Sequence, residues 1–333
     1  MIPGNIESTE VVIPARGNTP WLDLSLSSLA NQTSQPVFVT VIDDGLQDPS
    51  GAREMGAKLF GERFRLLKNM SRGISAALNT GIQQSSARWI ARMDADDVAH
   101  PDRLQKQLDF LKDAPADVLG CGTQVRFINP RGRALGYSRL PASREEISER
   151  MLHKTCFVHS TLVLRRNALL TTPYRQSMDG AEDVDLVLRL SEKGRILNLD
   201  RVLLDYRLHL TQESFRARAR HTAVQELAFR LALRRRQKNA DPLEADPELA
   251  EKFIRWRLST PGYVRSRTFL TALRYMQTHL SGSDLEGFAQ CALVALKSLP
   301  VSAPSWYIAW RVFQNAGAAL LDRPTPFESL NVN

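Results

Sequence analysis

The sequence predicts an α/β fold: a mostly parallel, mixed sheet flanked by helices, followed by an all-α C-terminal region. Three observations predict it. Strand-like and helix-like segments alternate through the first hundred residues, three successive strands end in polar or acidic residues, and the pattern beyond residue 210 is helical and punctuated by prolines.

Glu10-Val-Val-Ile-Pro14 is a β-branched run ended by proline, as expected for the first strand of a buried parallel sheet. Asn18-Thr19-Pro20 supplies a helix start, with Thr19 as N-cap and Pro20 at the first helical position, and Leu22, Leu26 and Leu29 follow at helical spacing. Pro36 to Gly45 is the second strand. A helix is expected over 49–60, a third strand over 64–68, a loop and helix rich in small residues over 69–81, a fourth strand from Trp89 to Asp94, and a helix over 102–112. The β-rich run 118–128 with the turn Asn129-Pro-Arg-Gly132 points to a hairpin or meander; 145–152 reads as helix, 158–165 as strand, 180–190 as amphipathic helix and 201–209 as a terminal strand. Strand, helix, strand in this order begins a doubly wound sheet, whose ligand sites lie at the carboxyl ends of the strands. Pro14-Ala15-Arg16, Asp43-Asp44 and the acids after the fourth strand are therefore expected along one edge.

Those acids are the centre of the reading. In Trp89-Ile-Ala-Arg-Met-Asp-Ala-Asp-Asp97 an apolar strand stops at Asp94, Asp96 and Asp97, carboxylates that repel one another unless a cation sits among them. Mg²⁺ or Mn²⁺ meets that need with hard oxygen ligands; a solvated acidic loop is the plain alternative. Arg72 and Gly73 would let the backbone approach a phosphate while a guanidinium neutralises it, or would simply make a tight turn into a closely packed helix. Glu182 and Asp183 open a helix, where a carboxylate can act as an ordinary cap or as a fixed, ionised general base. The terminal strand delivers Tyr206, Arg207 and His209, and His209 could supply a further metal ligand. His159 reads as a structural histidine.

Composition bounds the rest. Hydrophobic content of 43% and charged content of 24% are those of a soluble globular protein, and no apolar run approaches the length that crosses a bilayer. The N-terminus has neither a basic start nor an apolar core, and Cys121, Cys156 and Cys291 are scattered without metal-ligand spacing. A cytoplasmic protein is expected. About six of the net +8 charges fall after residue 210, which suggests an anionic partner such as a membrane surface or a lipid-linked phosphate, or simple solubilising charge. One long arginine-rich helix is expected over 211–239, then helices over 247–258, 266–280, 284–299 and 304–321. The aromatic stretch from Trp306 to Phe313 could rest on the inner face of a membrane beside the basic helix, pack within the helical region or join two copies of the chain. No recognisable nucleic-acid-binding module accompanies the basic residues.

Taken together, Val11-Val-Ile-Pro14, Ser28-Leu-Ala-Asn-Gln-Thr33, Val41-Ile-Asp-Asp-Gly45, Arg72-Gly73 with Asn79-Thr-Gly81, Met93-Asp-Ala-Asp-Asp97, Gly180-Ala-Glu-Asp183 and Tyr206-Arg-Leu-His209 resemble the inverting glycosyltransferases of family 2, in order and spacing, over about residues 8 to 210. The resemblance implies a GT-A fold over 1–210, a helical region over 211–333 that serves membrane, acceptor or oligomer contacts, and a Mn²⁺- or Mg²⁺-dependent enzyme. Its donor would be a nucleotide-diphosphate sugar, foremost a UDP-sugar, and its acceptor a glycan or lipid-linked hydroxyl. Pro14, Ala15, Arg16 and Asp44 would hold the base and ribose, with Arg72 and Gly73 near the phosphates. Asp94, Ala95 and Asp96 match the Asp-any-Asp motif, Asp96 ligating the metal, Asp94 contacting the ribose or sugar and assisting the metal, and His209 joining the metal or diphosphate. Asp183 matches the catalytic base, with Glu182 and Arg207 in support. The first loop departs from the family, reading Ala15-Arg-Gly-Asn18 where many members have a triplet such as Thr-Tyr-Asn. A nucleotidyltransferase with a similar sheet and acidic site is the competing enzyme reading, and a degenerate sugar-nucleotide-binding scaffold the non-enzymatic one.

Overall fold

The computed structural model describes residues 8–298. In chain order the elements are β1 (Thr9–Gly17), α1 (Leu22–Ala30), β2 (Phe38–Leu46), α2 (Pro49–Phe60), β3 (Phe64–Lys68), α3 (Ile74–Gln84), β4 (Trp89–Arg92), β5 (Val98–Ala99), α4 (Arg103–Lys112), β6 (Val118–Ile128), β7 (Ala134–Tyr137), α5 (Arg144–Arg150), β8 (Val163–Arg165), α6 (Arg166–Thr171), α7 (Glu182–Leu190), β9 (Arg195–Arg207), α8 (Glu213–Arg216), α9 (Arg218–Arg236), α10 (Pro242–Ala245), α11 (Glu248–Ser259), α12 (Tyr263–Ser281) and α13 (Leu285–Lys297).

The strands form one sheet in the order β3-β2-β1-β4-β8-β6-β9-β5, with β7 paired to β6. Its first half is parallel, as the alternating pattern predicts. Beyond β4 the sheet is less parallel than expected: β8 runs antiparallel to both neighbours, β5 and β7 are antiparallel, and only β6 with β9 is parallel. Register sets the functional edge. Val12 lies opposite Arg92 and Ala15 opposite Asp43, so the carboxyl ends of β1, β2 and β4 leave the sheet at one level.

Strand β1 is buried on both faces, and its side chains divide by parity between two cores. Val11 and Ile13 pack with Leu26, Leu29, Val41 and Met93 on one side. Val12 packs with Ile42, Ile82 and Ile90 on the other, where α3 comes so close that a Cβ on Gly81 would sit 2.5 Å from Val12 Cγ1. This second core continues past residue 210. It takes in Leu186 and Leu190 of α7 and then Val224, Leu227, Leu231 and Ile254 of α9 and α11.

Several expectations shift. The N-cap of α1 is Trp21, without a side-chain bond, because Leu22 N donates to Thr19 O at 3.1 Å; Thr19 and Pro20 make a turn ahead of the helix instead of starting it. The strand expected over 158–165 is confined to Val163–Arg165, since His159–Thr161 winds into a 3-10 turn with Thr161 Oγ1 donating to Val158 O. The terminal strand is longer than expected, and begins at Arg195. The helix expected over 211–239 is broken at Ala217 (φ −101°) into α8 and α9. The helices expected over 247–258, 266–280 and 284–299 form as α11, α12 and α13 with shifted ends. The helix expected over 304–321, with Trp306 to Phe313, lies outside the described residues. No helix among the described residues is long and apolar enough to cross a membrane.

A buried ion network joins the C-terminal helices to α7. Arg175 pairs with Asp185 and, at 2.9 Å, with Asp241; Arg189 pairs with Asp185 at 2.8 Å and Arg235 with Asp241 at 2.8 Å. Both carboxylates are 1% exposed. Asp241→Ala strips a shared partner from two guanidiniums, each of which keeps a second carboxylate. It should lower the unfolding free energy by about 2–4 kcal/mol, read from urea denaturation.

Candidate active site

The acidic loop between β4 and β5 is held by arginines. Arg92, the last residue of β4, is buried and grips Asp94 with both terminal nitrogens of its guanidinium. Asp94 N donates to Ser160 Oγ at 2.9 Å, and Ser25 Oγ donates to Asp94 O at 3.2 Å. Arg207 fixes the next two acids through the backbone: its Nε donates to Asp96 O at 2.8 Å and its own N–H to Asp97 Oδ1 at 2.9 Å. Its Nη1 also donates to Asn129 O and Pro130 O, each at 3.1 Å.

His209 leaves β9 and reaches back to the same loop. Its Nε2 lies 2.8 Å from Asp96 Oδ2 and its Nδ1 2.6 Å from Thr211 Oγ1. The imidazole packs on Trp21 with ring centroids 4.7 Å apart, and Trp21 also carries the Arg207 guanidinium over its face at 5.0 Å.

Asp183 and Glu182 sit in the first turn of α7. Glu182 turns inward, with Oε2 accepting from Gly180 N at 2.9 Å and Oε1 3.8 Å from His159 Nδ1. Burial, and then the neighbouring Asp183, push its carboxyl up to about 8. Burial also drives His159 well below its usual range, helped by Arg92, so the Glu182–His159 contact joins two neutral groups at neutral pH. His159 Nε2 is 2.8 Å from Tyr174 Oη, consistent with the structural role read for it. Asp183 is also raised by burial, but its own N–H, that of Val184 and the charge on Arg92 pull the other way.

At the end of β2, Asp44 Oδ1 accepts from Asn69 Nδ2 at 2.7 Å and from Gly73 N at 3.3 Å. Gly73 has φ +106°, and a Cβ there would lie 2.2 Å from Asp179 Oδ2, so glycine is required on two counts. Asp179 Oδ1 accepts from Ser75 N at 3.2 Å. Arg16 and Arg72 are exposed; Arg16 lines the cleft and Arg72 does not.

These residues share one continuous cleft. A larger part, about 1010 Å³, is lined by Pro14, Ala15, Arg16, Asp44, Gly73 and Ala95. A smaller part, about 360 Å³, holds Asp183. Asp94, Asp96 and Glu182 line both. Sequence reasoning missed Arg92, Ser160, Trp21 and Asp179. Arg92 alone left a signal, a charge in an otherwise apolar strand two residues before the first acid.

The donor set fits a divalent cation. One ligand atom from each of Asp94, Asp96 and Asp97 lies within 4.8 Å of the others, and His209 Nε2 stands beside Asp96. Asp97 Oδ2 is buried without a hydrogen-bond partner. Burial and then Arg92 govern Asp94, whose carboxyl is raised with Asp96 and Asp183 adding to the rise; burial, Asp96 and Asp94 raise Asp97 well above the carboxylate range. A positive charge relieves that strain. Because Arg92 occupies both oxygens of Asp94, Asp96 and His209 are the freer pair.

Glu182 gives a pH prediction. Its folded-state pKa is raised, so its contribution to stability is fully present below the unfolded pKa near 4.5 and is lost as pH rises through about 8. Glu182→Gln should therefore flatten the decline of Tm between pH 5 and 8.5; an unchanged slope would show that Glu182 does not hold its proton.

A profile of the family described as "Glycosyl transferase family 2" matches residues 10–171. The chain is similar to the O-antigen biosynthesis glycosyltransferase WbnJ of Escherichia coli, 29% identical over 210 residues covering 61% of this chain and 81% of that protein. It is equally similar to chondroitin synthase of Pasteurella multocida (strain Pm70), 29% identical over 210 residues covering 61% of this chain but 21% of that protein, so it spans about a fifth of this longer relative. Among solved structures, S. aureus TarS 1-349 in complex with UDP-GlcNAc superposes with a TM-score of 0.51 at 16% identity, over 85% of this chain and 90% of that one. The mannosyltransferase PcManGT of Pyrobaculum calidifontis, in complex with GDP-Man and Mn²⁺, gives 0.51 at 17% identity, over 95% and 88%. At these identities the superpositions speak for the fold. With the profile laid over the strands that carry the acids, residues 10–171 match glycosyl transferase family 2, a family of glycosyltransferase enzymes, and the chain has the GT-A fold.

Proposed function

We propose that this chain transfers a sugar, with inversion, from a nucleotide-diphosphate donor to a hydroxyl of a glycan or lipid-linked acceptor of the surface-polysaccharide type. The observation that carries the reading is the shared cleft: Asp183, remote in sequence, opens into the same cavity as Asp94 and Asp96. A UDP-sugar is the preferred donor, by the sequence resemblance and because UDP-GlcNAc is bound by the similar TarS fragment; GDP-Man in PcManGT shows that the fold accommodates another base.

In this reading Pro14, Ala15 and Arg16 line the base and ribose site, with Asp44 accepting from the ribose. Gly73, kept bare by Asp179, lets the backbone approach the phosphates, and Arg72 lies at the outer edge of the same turn. Asp96 and His209, with Asp94, would hold Mn²⁺ or Mg²⁺, which when bound supplies Lewis-acid stabilisation of the departing diphosphate. The remaining steps belong to the chain. Arg207 and Arg92 fix the acids before substrate arrives, so little reorganisation is needed as charge develops. Asp183 takes the proton from the attacking acceptor hydroxyl, and in-line displacement at the anomeric carbon breaks the bond to the diphosphate. No second carboxyl needs to protonate the leaving oxygen. A lipid-linked acceptor would bring the chain to the cytoplasmic face of a membrane, where exposed Arg234 and Arg236 on α9 can meet anionic headgroups.

Two measurements test this. Asp183→Asn should lower turnover, followed as nucleoside diphosphate release, by about 10²–10⁴-fold. UDP affinity should hold; a variant with normal turnover overturns the assignment. Asp96→Asn, or removal of divalent ions by chelation, should weaken UDP binding at least tenfold in a thermal-shift titration, and Mn²⁺ should restore affinity to the wild type alone.

A further inference from the structure

The part of the cleft that holds Asp183 has a wall without a role so far. Helix α9 presents Arg218, His221 and Gln225 to it, residues spaced i, i+3 and i+7 and so on one stripe of the helix. The rest of α9 is committed to the core through Ala223, Val224, Leu227 and Leu231. Gln225 is fixed in place, its Nε2 donating to Thr155 Oγ1 at 2.7 Å. His221 is a neutral hydrogen-bonding group, because burial and the charges of Arg218 and Arg220 push it down to about 4.

Arg218 is different. Its guanidinium is partly buried, and among the described residues it has no carboxylate partner. Burial lowers its pKa, the neighbouring guanidiniums of Arg274 and Arg267 lower it further, and only the phenols of Tyr275 and Tyr206 act the other way. Two of the cleft's acids are occupied elsewhere, Asp94 by Arg92 and Asp96 by His209, and Arg218 forms no ion pair with Asp183, Glu182 or Glu213 among the described residues. A partly desolvated cation next to like charges is costly until an anion joins it. Arg218 lines the part with Asp183, whereas Arg216 and Arg220 line the nucleotide part, so the missing anion belongs on the acceptor side.

We propose that Arg218, backed by Arg267 and Arg274, binds a phosphate carried by the acceptor, so that the molecule whose hydroxyl reaches Asp183 is anionic. This rests on the reading of the chain as a transferase with Asp183 as base. His221 and Gln225 then hydrogen-bond the acceptor's hydroxyls along the same stripe, and α9 sets acceptor choice while β1, β2 and the acidic loop hold the donor.

The test uses the whole chain saturated with UDP and Mg²⁺, which fills the donor's diphosphate site. Titration calorimetry then compares glycerol 1-phosphate, farnesyl diphosphate and uncharged glycerol. At least one phosphate probe should bind and glycerol should not. Arg218→Ala should weaken that binding tenfold or more and Arg218→Lys less, with UDP affinity within twofold of wild type in both. Preference for farnesyl diphosphate assigns a lipid-linked phosphate, and equal or better binding of glycerol 1-phosphate a soluble or polymeric one. The inference is overturned if neither phosphate binds the wild type, if Arg218→Ala binds them unchanged, or if that variant loses UDP affinity in equal measure, which would put Arg218 on the donor. Should Arg218→Ala not fold, Arg218→Lys with intact UDP binding carries the same comparison. Loss of UDP binding by the wild type would overturn the proposed function and this inference together, whereas intact UDP binding with indifference to phosphate overturns only this inference.

Discussion

A knot of like charge at the carboxyl edge of the sheet is the constraint on which the rest of the structure depends. At a separation of about 4 Å and an effective dielectric of about 20, two carboxylates repel by roughly 4 kcal/mol. Asp94, Asp96 and Asp97 approach to that order of distance. The loop is kept in place by three buried arginines that divide the work. Arg92 neutralises Asp94 directly; Arg103 lies beneath, donating to Arg92 O at 2.8 Å and acting on Asp97 through its charge; Arg207 ties the carbonyl of Asp96 and the carboxylate of Asp97. Such cations would be expensive in a core without the acids they face. Asp96 is left facing His209 and the cleft.

The C-terminal helices belong to this arrangement. One core runs from Val12 of the central strand to Ile254 of α11, and the Arg175–Asp185–Asp241–Arg235 network fastens α9 and α10 to the helix that carries Asp183. At the other end, Asp284, the N-cap of α13, accepts from Asn129 Nδ2 at 3.0 Å and lies 2.9 Å from His279 Nδ1. Asn129 O is in turn held by Arg207, which holds Asp96. The acidic loop is thus braced from two sides by segments that carry none of the family's motifs.

Local periodicity made most of the first two hundred or so residues legible. β-branched runs such as Val11–Ile13 and Val39–Ile42 form strands because they are buried on both faces, and their parallel order follows from the helices between them. The convergence of Asp44, Asp94 and Asp96 needed only that order. What stayed hidden depends on contacts between distant segments. Trp21 serves His209 and Arg207 across nearly the whole motif span, Asp179 imposes glycine at position 73 from more than a hundred residues away, and Thr19 lost its capping role to a turn bond with Leu22. The break at Ala217 was equally illegible. An alanine favours helix, so its residue type gives no sign of the break.

Two adjacent acids open α7, and their surroundings differ. Glu182 is turned into a pocket with neutral His159 and Tyr174, where burial and the charge on Asp183 both favour its protonated form up to about pH 8. Asp183 lines the cleft; burial raises its carboxyl as well, and the N–H groups of Val184 and Asp183 with the charge on Arg92 oppose that rise. The inner residue is the one whose protonated form is favoured, and the residue that lines the cleft is the one with donors aimed at its carboxylate. Had both been solvated, their mutual repulsion would have spread the titration over both carboxyls and left neither a defined base. The inward turn of Glu182, fixed by the Gly180 N–H at 2.9 Å, is what gives two neighbouring acids at one helix start such different surroundings.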